Sequence, residues 1–520
     1  MTKQLVTPVR HLVTAMAVAC VAAGPAGAQT GAPQGAGPGA PQAAPSGPVL
    51  MVSMEQAVEM ALESNLGLRA SRLDTDVADQ SITAARAAFL PFANLNLSRN
   101  NAESQTVTNA DGTRTNSSST ALNGSTTVSQ FLPWLGGGYQ VTWGGNRNST
   151  SGLSTFNPQL GSNLSIAFQQ PLWRDLSIDQ NRAGLETSQR NRVIADLRVQ
   201  QSVVQLDTAV RNTYLSLIAA IERNKVANEN MRVAEESLRQ ARARVEVGVS
   251  PEIEIVESEA QVEGGREAVI QSEADIQTAK DSLRRLILDP SRPDYWQVDL
   301  QPADTISLSE PSIDVERAIA NALANRLDLQ QQRRALEITD LNARLSDNAT
   351  KPSVDLTVNF RSSAFGGTQF LGGGETATIS YGNVLADTFT AAFPSWTVGV
   401  SVGLPIGPTA AKAGVAQLQV QQRQQLLTLR EAELQVVEQV RAAAREVETS
   451  YRRVRALERS REATERQLEA EERRFAVGLS TTFQLQSRQS QLFTARFLEV
   501  QAIIGHQRAL INFERVQKTQ

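Results

Sequence analysis

Residues 182–250 read RAGLETSQRNRVIADLRVQQSVVQLDTAVRNTYLSLIAAIERNKVANENMRVAEESLRQARARVEVGVS. From Arg182 to Val247 there is no proline, and the only glycine, Gly184, falls in the first turn. The stretch is therefore expected to be one uninterrupted helix, 182–247, about 100 Å long at ~1.5 Å per residue. Average helices run only about three or four turns, so a compact globular domain is a poor home for it. The same design returns 230 positions on. Arg182-Ala183-Gly184-Leu185 becomes Lys412-Ala413-Gly414-Val415, and Val247-Gly248-Val249-Ser250 becomes Val477-Gly478-Leu479-Ser480. A second long helix is expected over 412–477. Each ends at a Val-Gly turn that folds a shorter helix back beside it, 251–288 and 481–516, with Pro251 at a favourable first-turn position. Glu448 with Arg452, Glu462 with Arg466 and Glu469 with Arg473 are spaced for i,i+4 pairing on a solvated face.

The repeat is a whole module, which takes precedence over the domain count that length alone would suggest. Ser53-Met54-Glu55-Gln56 matches a capping box, opening a helix toward Leu90 with a possible kink near Gly67. Its counterpart runs from about Ser312 to Pro352. Ala61-Leu62 corresponds to Ala322-Leu323, Leu66 and Leu68 to Leu327 and Leu329, and Pro91 to Pro352. After each proline the apolar period switches from 3.6 to 2. Leu95-Asn96-Leu97-Ser98 and Leu164-Ser165-Ile166-Ala167-Phe168 alternate in the first repeat; Leu356-Thr357-Val358-Asn359-Phe360 and Trp396-Thr397-Val398-Gly399-Val400 do so in the second. Alternation of this kind marks strands wet on one face and apolar on the other. The β-hairpin regions are expected over about 92–170 and 353–404. The first is longer, and its excess holds a further hairpin pattern, Thr126 to Phe131 and Tyr139 to Trp143, around Pro133-Trp134-Leu135-Gly136-Gly137-Gly138. Between the repeats, 289–311 is expected to form an irregular or short-stranded strap.

Composition narrows the function. Fifty Lys and Arg against 54 Asp and Glu leave no basic surface for nucleic acid. The two histidines are His11 and His506 and the one cysteine is Cys20, so the chain beyond residue 28 has a single histidine and no thiol. Cys/His metal centres and disulfides are thereby excluded there, no Gly-rich phosphate loop with its Lys is present, and no cofactor is expected. Lys3 and Arg10, the apolar run Leu12–Ala23 and the small residues Ala26-Gly27-Ala28 read as a signal peptide, with cleavage after Ala28 leaving Gln29 first. Ala17-Val18-Ala19-Cys20 offers a competing lipobox that would lipidate Cys20, although Ala17 stands where leucine is usual. Residues 29–52 read as a flexible Gly/Pro/Ala linker. Beyond the leader no run of ~18 apolar residues exists, so a membrane would be entered by strands.

About four strands per chain, two from each repeat, cannot close a barrel, and an open edge in lipid costs several kcal/mol per unpaired backbone group. Two copies would give eight strands, three would give twelve; a polar inner face favours a lumen and so three. On the two-fold repeat, Pro91 and Pro352, the long helices and the paired tips, the chain resembles the TolC-like outer membrane efflux family from about Ser53 to Val516. The resemblance implies an α+β membrane protein with two structural repeats: a homotrimer whose transmembrane β-barrel sits in outer membrane lipid of a Gram-negative bacterium and continues as a long periplasmic α-helical barrel. It implies partners in a periplasmic adaptor and an inner membrane pump, and export of small molecules or proteins by tripartite efflux or type I secretion, with no enzymatic step. Under it, Val247, Gly248, Val249, Ser250, Val477, Gly478, Leu479 and Ser480 are docking tips. Glu254, six residues after the first turn glycine, and Glu257 one turn on are gate acids. The matching places in the second repeat hold Gln484 and Ser487, and the family's locking tyrosine and arginine are replaced by Phe475 and Ser480. The alternatives are a soluble periplasmic coiled-coil scaffold, which explains the helices and not the alternating strands, and an exported hydrolase, for which one histidine leaves little to build with.

Overall fold

The computed structural model describes residues 48–517, apart from 108–113, 152–153, 305–307, 309, 311, 373–374 and 408. The cleavage site, Cys20 and most of the linker lie outside the described residues. The first repeat runs β1 (Val49–Val52), α1 (Met54–Ser64), α2 (Leu66–Ala87), β2 (Phe92–Val107), β3 (Arg114–Phe131), β4 (Gly138–Thr150), β5 (Phe156–Pro171), α3 (Gln180–Glu246) and α4 (Ile253–Ile287). The strap contributes β6 (Asp299–Pro302). The second repeat follows as α5 (Val315–Asn325), α6 (Leu327–Ala349), β7 (Ser353–Gly372), β8 (Glu375–Ile379), α7 (Tyr381–Phe389), β9 (Pro394–Gly403), α8 (Ala410–Ala476) and α9 (Thr482–Gln517).

The two long helices are each 67 residues, capped at Asp179 and Thr409 by side-chain oxygens that accept from backbone amides of the first turn. The Ser53–Gln56 capping box is formed in both directions. The break in the first helix falls at Asn65, whose extended backbone and side chain restart the helix at Leu68 N–H, and not at Gly67. Arg326 breaks the second repeat at the equivalent place. At Asn65 the side chain satisfies one orphan amide of the new helix start, whereas Arg326 makes the same break with no side-chain cap. Residues 49–52 also depart from the linker expectation: β1 pairs in parallel with β6, Val49 opposite Asp299 through Val52 opposite Pro302.

Four helices stand side by side at each level. Toward the sheet, α2 packs on α3, α3 on α6 and α6 on α8; toward the Val-Gly turns, α4 packs on α3, α3 on α9 and α9 on α8. The lower pairs are antiparallel coiled coils with small residues in the seam. Ala227, Ala234 and Ala241 of α3 recur every seven positions, as do Ser258, Gly265 and Ser272 of α4, and all are buried. A Cβ at Gly265 would stand 3.3 Å from Met231 Cα, so the backbones meet there. His506 is a packing residue of α9, buried with Nδ1 3.0 Å from Ser450 Oγ on α8.

The strap holds the helices through one core centred on Tyr214, which is fully buried. Its hydroxyl donates to Val52 O at 2.9 Å or to Asp304 Oδ2 at 3.0 Å, tying α3 to β1 and the strap. Burial, with the neighbouring Asp304 carboxylate, pushes the phenol up to about 12. Because the folded value is raised, the contribution of Tyr214 is complete below about pH 10 and lost as pH climbs toward the folded value. Tyr214→Phe removes this tie, although Val52 O keeps the Ala303 N–H and Asp304 Oδ2 keeps the Met54 N–H, and should cost about 0.5–1.5 kcal/mol, the net worth of one hydrogen bond. Unfolding monitored by circular dichroism at pH 7 should show a lowered midpoint, and the deficit should shrink above pH 10.

The sheet sorts its side chains by face. Its strands pair antiparallel in the order β2-β3-β4-β5-β7, with β9 against the lower part of β7 and β8 against the upper part. One row of partners reads Ala93, Val128, Val141, Ile166, Phe360 and Trp396 across β2, β3, β4, β5, β7 and β9. The adjoining row reads Asn94, Thr127, Thr142, Ser165, Arg361 and Ser395. Successive residues point to opposite faces, so one face is apolar and the other polar across the whole width. The expectation of about four strands is corrected by this register. The extra hairpin pattern at 126–143 is the root of β3 and β4, full members of the sheet whose alternation matches that of their neighbours. No pattern in the sequence points to α7, which lies over the upper apolar face with Phe389 stacked on Trp143, ring centroids 6.5 Å apart.

Candidate docking tips and channel entrance

Both long helices end in the same hydrogen-bonded turn. Val249 N–H donates to Arg244 O and Gly248 N–H to Val245 O, each at 2.9 Å. In the second repeat Leu479 N–H donates to Arg474 O at 2.9 Å and Gly478 N–H to Phe475 O at 3.0 Å. This pair of bonds is the Schellman motif, which needs a left-handed residue after the cap. Gly248 (φ +76) and Gly478 (φ +78) supply it. A Cβ would meet nothing within 4 Å at either glycine, so conformation alone requires them.

The turns push apolar side chains into solvent. Val249 is 74% exposed and Leu479 70%, and Val247 and Val477 are as open. Sequence reasoning missed three more: Ile253, Val256 and Phe483 are also exposed at the same end. The repeat itself held the signal, because Ile253 and Phe483 occupy corresponding positions just past the two turns. Single exposed apolar residues need no explanation, but here seven are gathered at one end of the chain, on and just past the two turns.

Contacts between the repeats hold the two tips together. Glu254 Oε2 accepts from Thr482 Oγ1 at 3.0 Å and stands 3.7 Å from a guanidinium nitrogen of Arg244. That guanidinium lies 4.5 Å over the ring of Phe475. Gln486 Nε2 reaches Ser258 Oγ at 3.4 Å. Ser480 Oγ donates to the buried carboxylate of Glu471 and lies 3.1 Å from Gln484 Oε1. Phe475 and Ser480, which lack the locking groups expected at their places, therefore join the tip contacts by other chemistry. Arg244 is the residue that links both acid and ring, and no motif pointed to it. The two acids are placed differently: Glu254 is paired and largely covered, whereas Glu257 is exposed and makes no ion pair among the described residues. Ser487 is half-buried.

No group of three or more His, Cys, Asp or Glu among the described residues is arranged to hold a metal ion. No helix of the described residues is long and apolar enough to cross a membrane.

The family model described as outer membrane efflux protein matches residues 125–287 and 318–515. Among solved structures, the chain is similar to the CmeC outer membrane channel of Campylobacter jejuni, with 14% identity, TM-score 0.64, and 90% of this chain and 85% of that one covered. It is similar to the outer membrane protein VceC of Vibrio cholerae at 14% identity and TM-score 0.63, covering 89% of this chain and 95% of that one. The open state of the MtrE outer membrane channel of Neisseria gonorrhoeae gives 17% identity and TM-score 0.59, with 89% and 88% covered. A search of the curated proteins finds no match.

Proposed function

Because the chain belongs to the outer membrane efflux protein family, we propose that three copies assemble into one outer membrane channel-tunnel. It exports small molecules or proteins, by tripartite efflux or type I secretion, together with a periplasmic adaptor and an inner membrane pump. The observation that carries this reading is the sheet sorted into an apolar and a polar face across its full width. Such a sheet is stable in lipid only when its edges are closed, and closing it with the polar face inward makes an aqueous lumen. β9, ten residues long, has the length of one crossing, about 9–11 residues. Exposed Trp134 and Trp173 sit where the helices meet the sheet, and Trp396 sits toward the other end, the placement of aromatic residues at the two interfaces of a barrel. The helices then form the wall of a periplasmic tunnel, and the apolar tips at its far end receive the adaptor.

The test is mass. Native mass spectrometry of the detergent-extracted mature protein should give about three times the chain mass, and the oligomer should run as a heat-modifiable band. A monomer with its strand content intact by circular dichroism would overturn the reading.

A further inference from the structure

We infer that each copy places six strands in the barrel wall, so that three copies close an eighteen-stranded barrel, with β2 of one copy pairing with β9 of the next. The inference rests on the trimeric reading and deepens it, since four strands per copy would make a twelve-stranded pore.

Four observations carry it. β3 and β4 are in register along their whole length with β2 and β5, from Phe92–Ser129 at the helix end to Thr106–Thr115 beyond the band, with no break where β2 might instead meet β5. Both strands obey the same facing rule as the rest: Val128 and Val141 continue the apolar row, and Thr127 and Thr142 continue the polar row, with their hydroxyls 3.2 Å apart. The turn joining them is seated on the helix junction. Gln130 Nε2 donates to Phe89 O at 2.9 Å, Gln170 Nε2 to Leu135 O at 2.8 Å, and a Cβ at Gly136 would stand 2.4 Å from Asp175 O. A hairpin hanging free of the wall would have neither this footing nor this pattern.

The fourth observation is width. Sheet order follows helix order, since α2 leads into β2, β5 into α3, α6 into β7 and β9 into α8. Four helices at ~10 Å spacing span about 40 Å of wall per copy. Six strands at ~4.8 Å spacing, tilted ~45°, also span about 40 Å, whereas four would span only about 27 Å. The extra hairpin thus gives the barrel the girth of the helical tunnel beneath it. The two free edges suit each other: β2 leaves the helices and β9 returns to them, so neighbours meet antiparallel. Both edges carry large apolar residues on the same face, Leu95 and Leu97 on β2 and Val398 and Val400 on β9. Barrel diameter rises roughly in proportion to strand number, and 16–18 strands leave an aqueous channel. The membrane end is then not the narrow point of the pathway.

Thiol labelling tests this in the trimer reconstituted into liposomes. The only cysteine of the chain is Cys20, so a serine there gives a thiol-free background. Single cysteines are placed on both strands and both faces: Val128→Cys, Thr127→Cys, Val141→Cys and Thr142→Cys. A charged, membrane-impermeant maleimide should react at least about tenfold faster with the two threonine sites than with the two valine sites. Two sites per face let a variant that fails to assemble be replaced by its neighbour. Equal rates at both faces in an intact trimer, or a spontaneous disulfide between Leu97→Cys and Ile166→Cys within one chain, would show β2 meeting β5 and overturn the six-strand wall. A native mass other than three copies would instead remove the trimer and leave the strand count to the labelling pattern.

Discussion

Val249→Asp or Leu479→Asp is expected to abolish export while leaving the trimer intact. Both side chains stand in solvent, 74% and 70% exposed, so a carboxylate at either place is fully hydrated in the free channel. The only local cost is a negative charge near a helix C-terminus, about 0.3–1 kcal/mol. An adaptor that buries the tip would have to desolvate that charge without a partner, and each 1.4 kcal/mol lost is tenfold in affinity. Two lost factors of ten, or about 3 kcal/mol, are enough to dissociate a transient assembly. Site-specific cross-linking from Phe483 to the adaptor should vanish with the substrate export it supports, and the heat-modifiable trimer should persist. Val249→Asn, similar in size to aspartate and uncharged, should lose much less. If the aspartate variants also lose the trimer, the two residues cap the helical hairpins and docking lies elsewhere.

The tips were legible in the sequence because their cause is local and doubled. A glycine two residues from the end of a helical pattern, repeated 230 positions on, implies the same turn twice, and backbone conformation alone makes that turn. The long helices were legible for the same reason: 67 residues without an interior proline leave little else to predict. Three features were not. The break falls at Asn65, two residues before Gly67, near which the sequence suggests a kink, since flexibility is easier to read from sequence than the cap that Asn65 provides. The hairpin at 126–143 showed its strands, but whether they join the wall depends on cross-strand register, which pairs residues such as Ser119 and Thr150 that share no local pattern. The tip contacts were hidden for a related reason. Arg244, Glu254, Phe475 and Thr482 come from four places in the chain, and only the packing of one repeat against the other brings them together.

That packing separates Glu254 and Glu257, which the sequence treats as a pair. Glu254 is 20% exposed as a side chain and Arg244 28%, so solvent screens their attraction only in part. The hydrogen bond from Thr482 to a carboxylate is of the charge-assisted kind, about 1.5–3 kcal/mol. Three such links around one axis would bias the entrance toward closure, and Arg244 offsets the charge of Glu254. Glu257, exposed and outside any ion pair among the described residues, would then present an uncompensated ring of three negative charges to a passing ion. The two substitutions should therefore differ in kind. Glu254→Gln or Arg244→Ala should raise single-channel conductance in planar bilayers several-fold, with little change in selectivity, by loosening the tips. Glu257→Gln should leave conductance at high salt unchanged and lower the cation-to-anion permeability ratio. The same substitution should weaken block by multivalent cations, both effects growing as salt falls and the screening length increases from about 10 Å at 0.1 M to 30 Å at 0.01 M. Selectivity moving with Glu254→Gln and not with Glu257→Gln would place Glu254 on the pathway and its contact with Arg244 outside the closed state. Unchanged conductance and selectivity in the Glu254→Gln, Glu257→Gln double variant would move the entrance filter away from both acids.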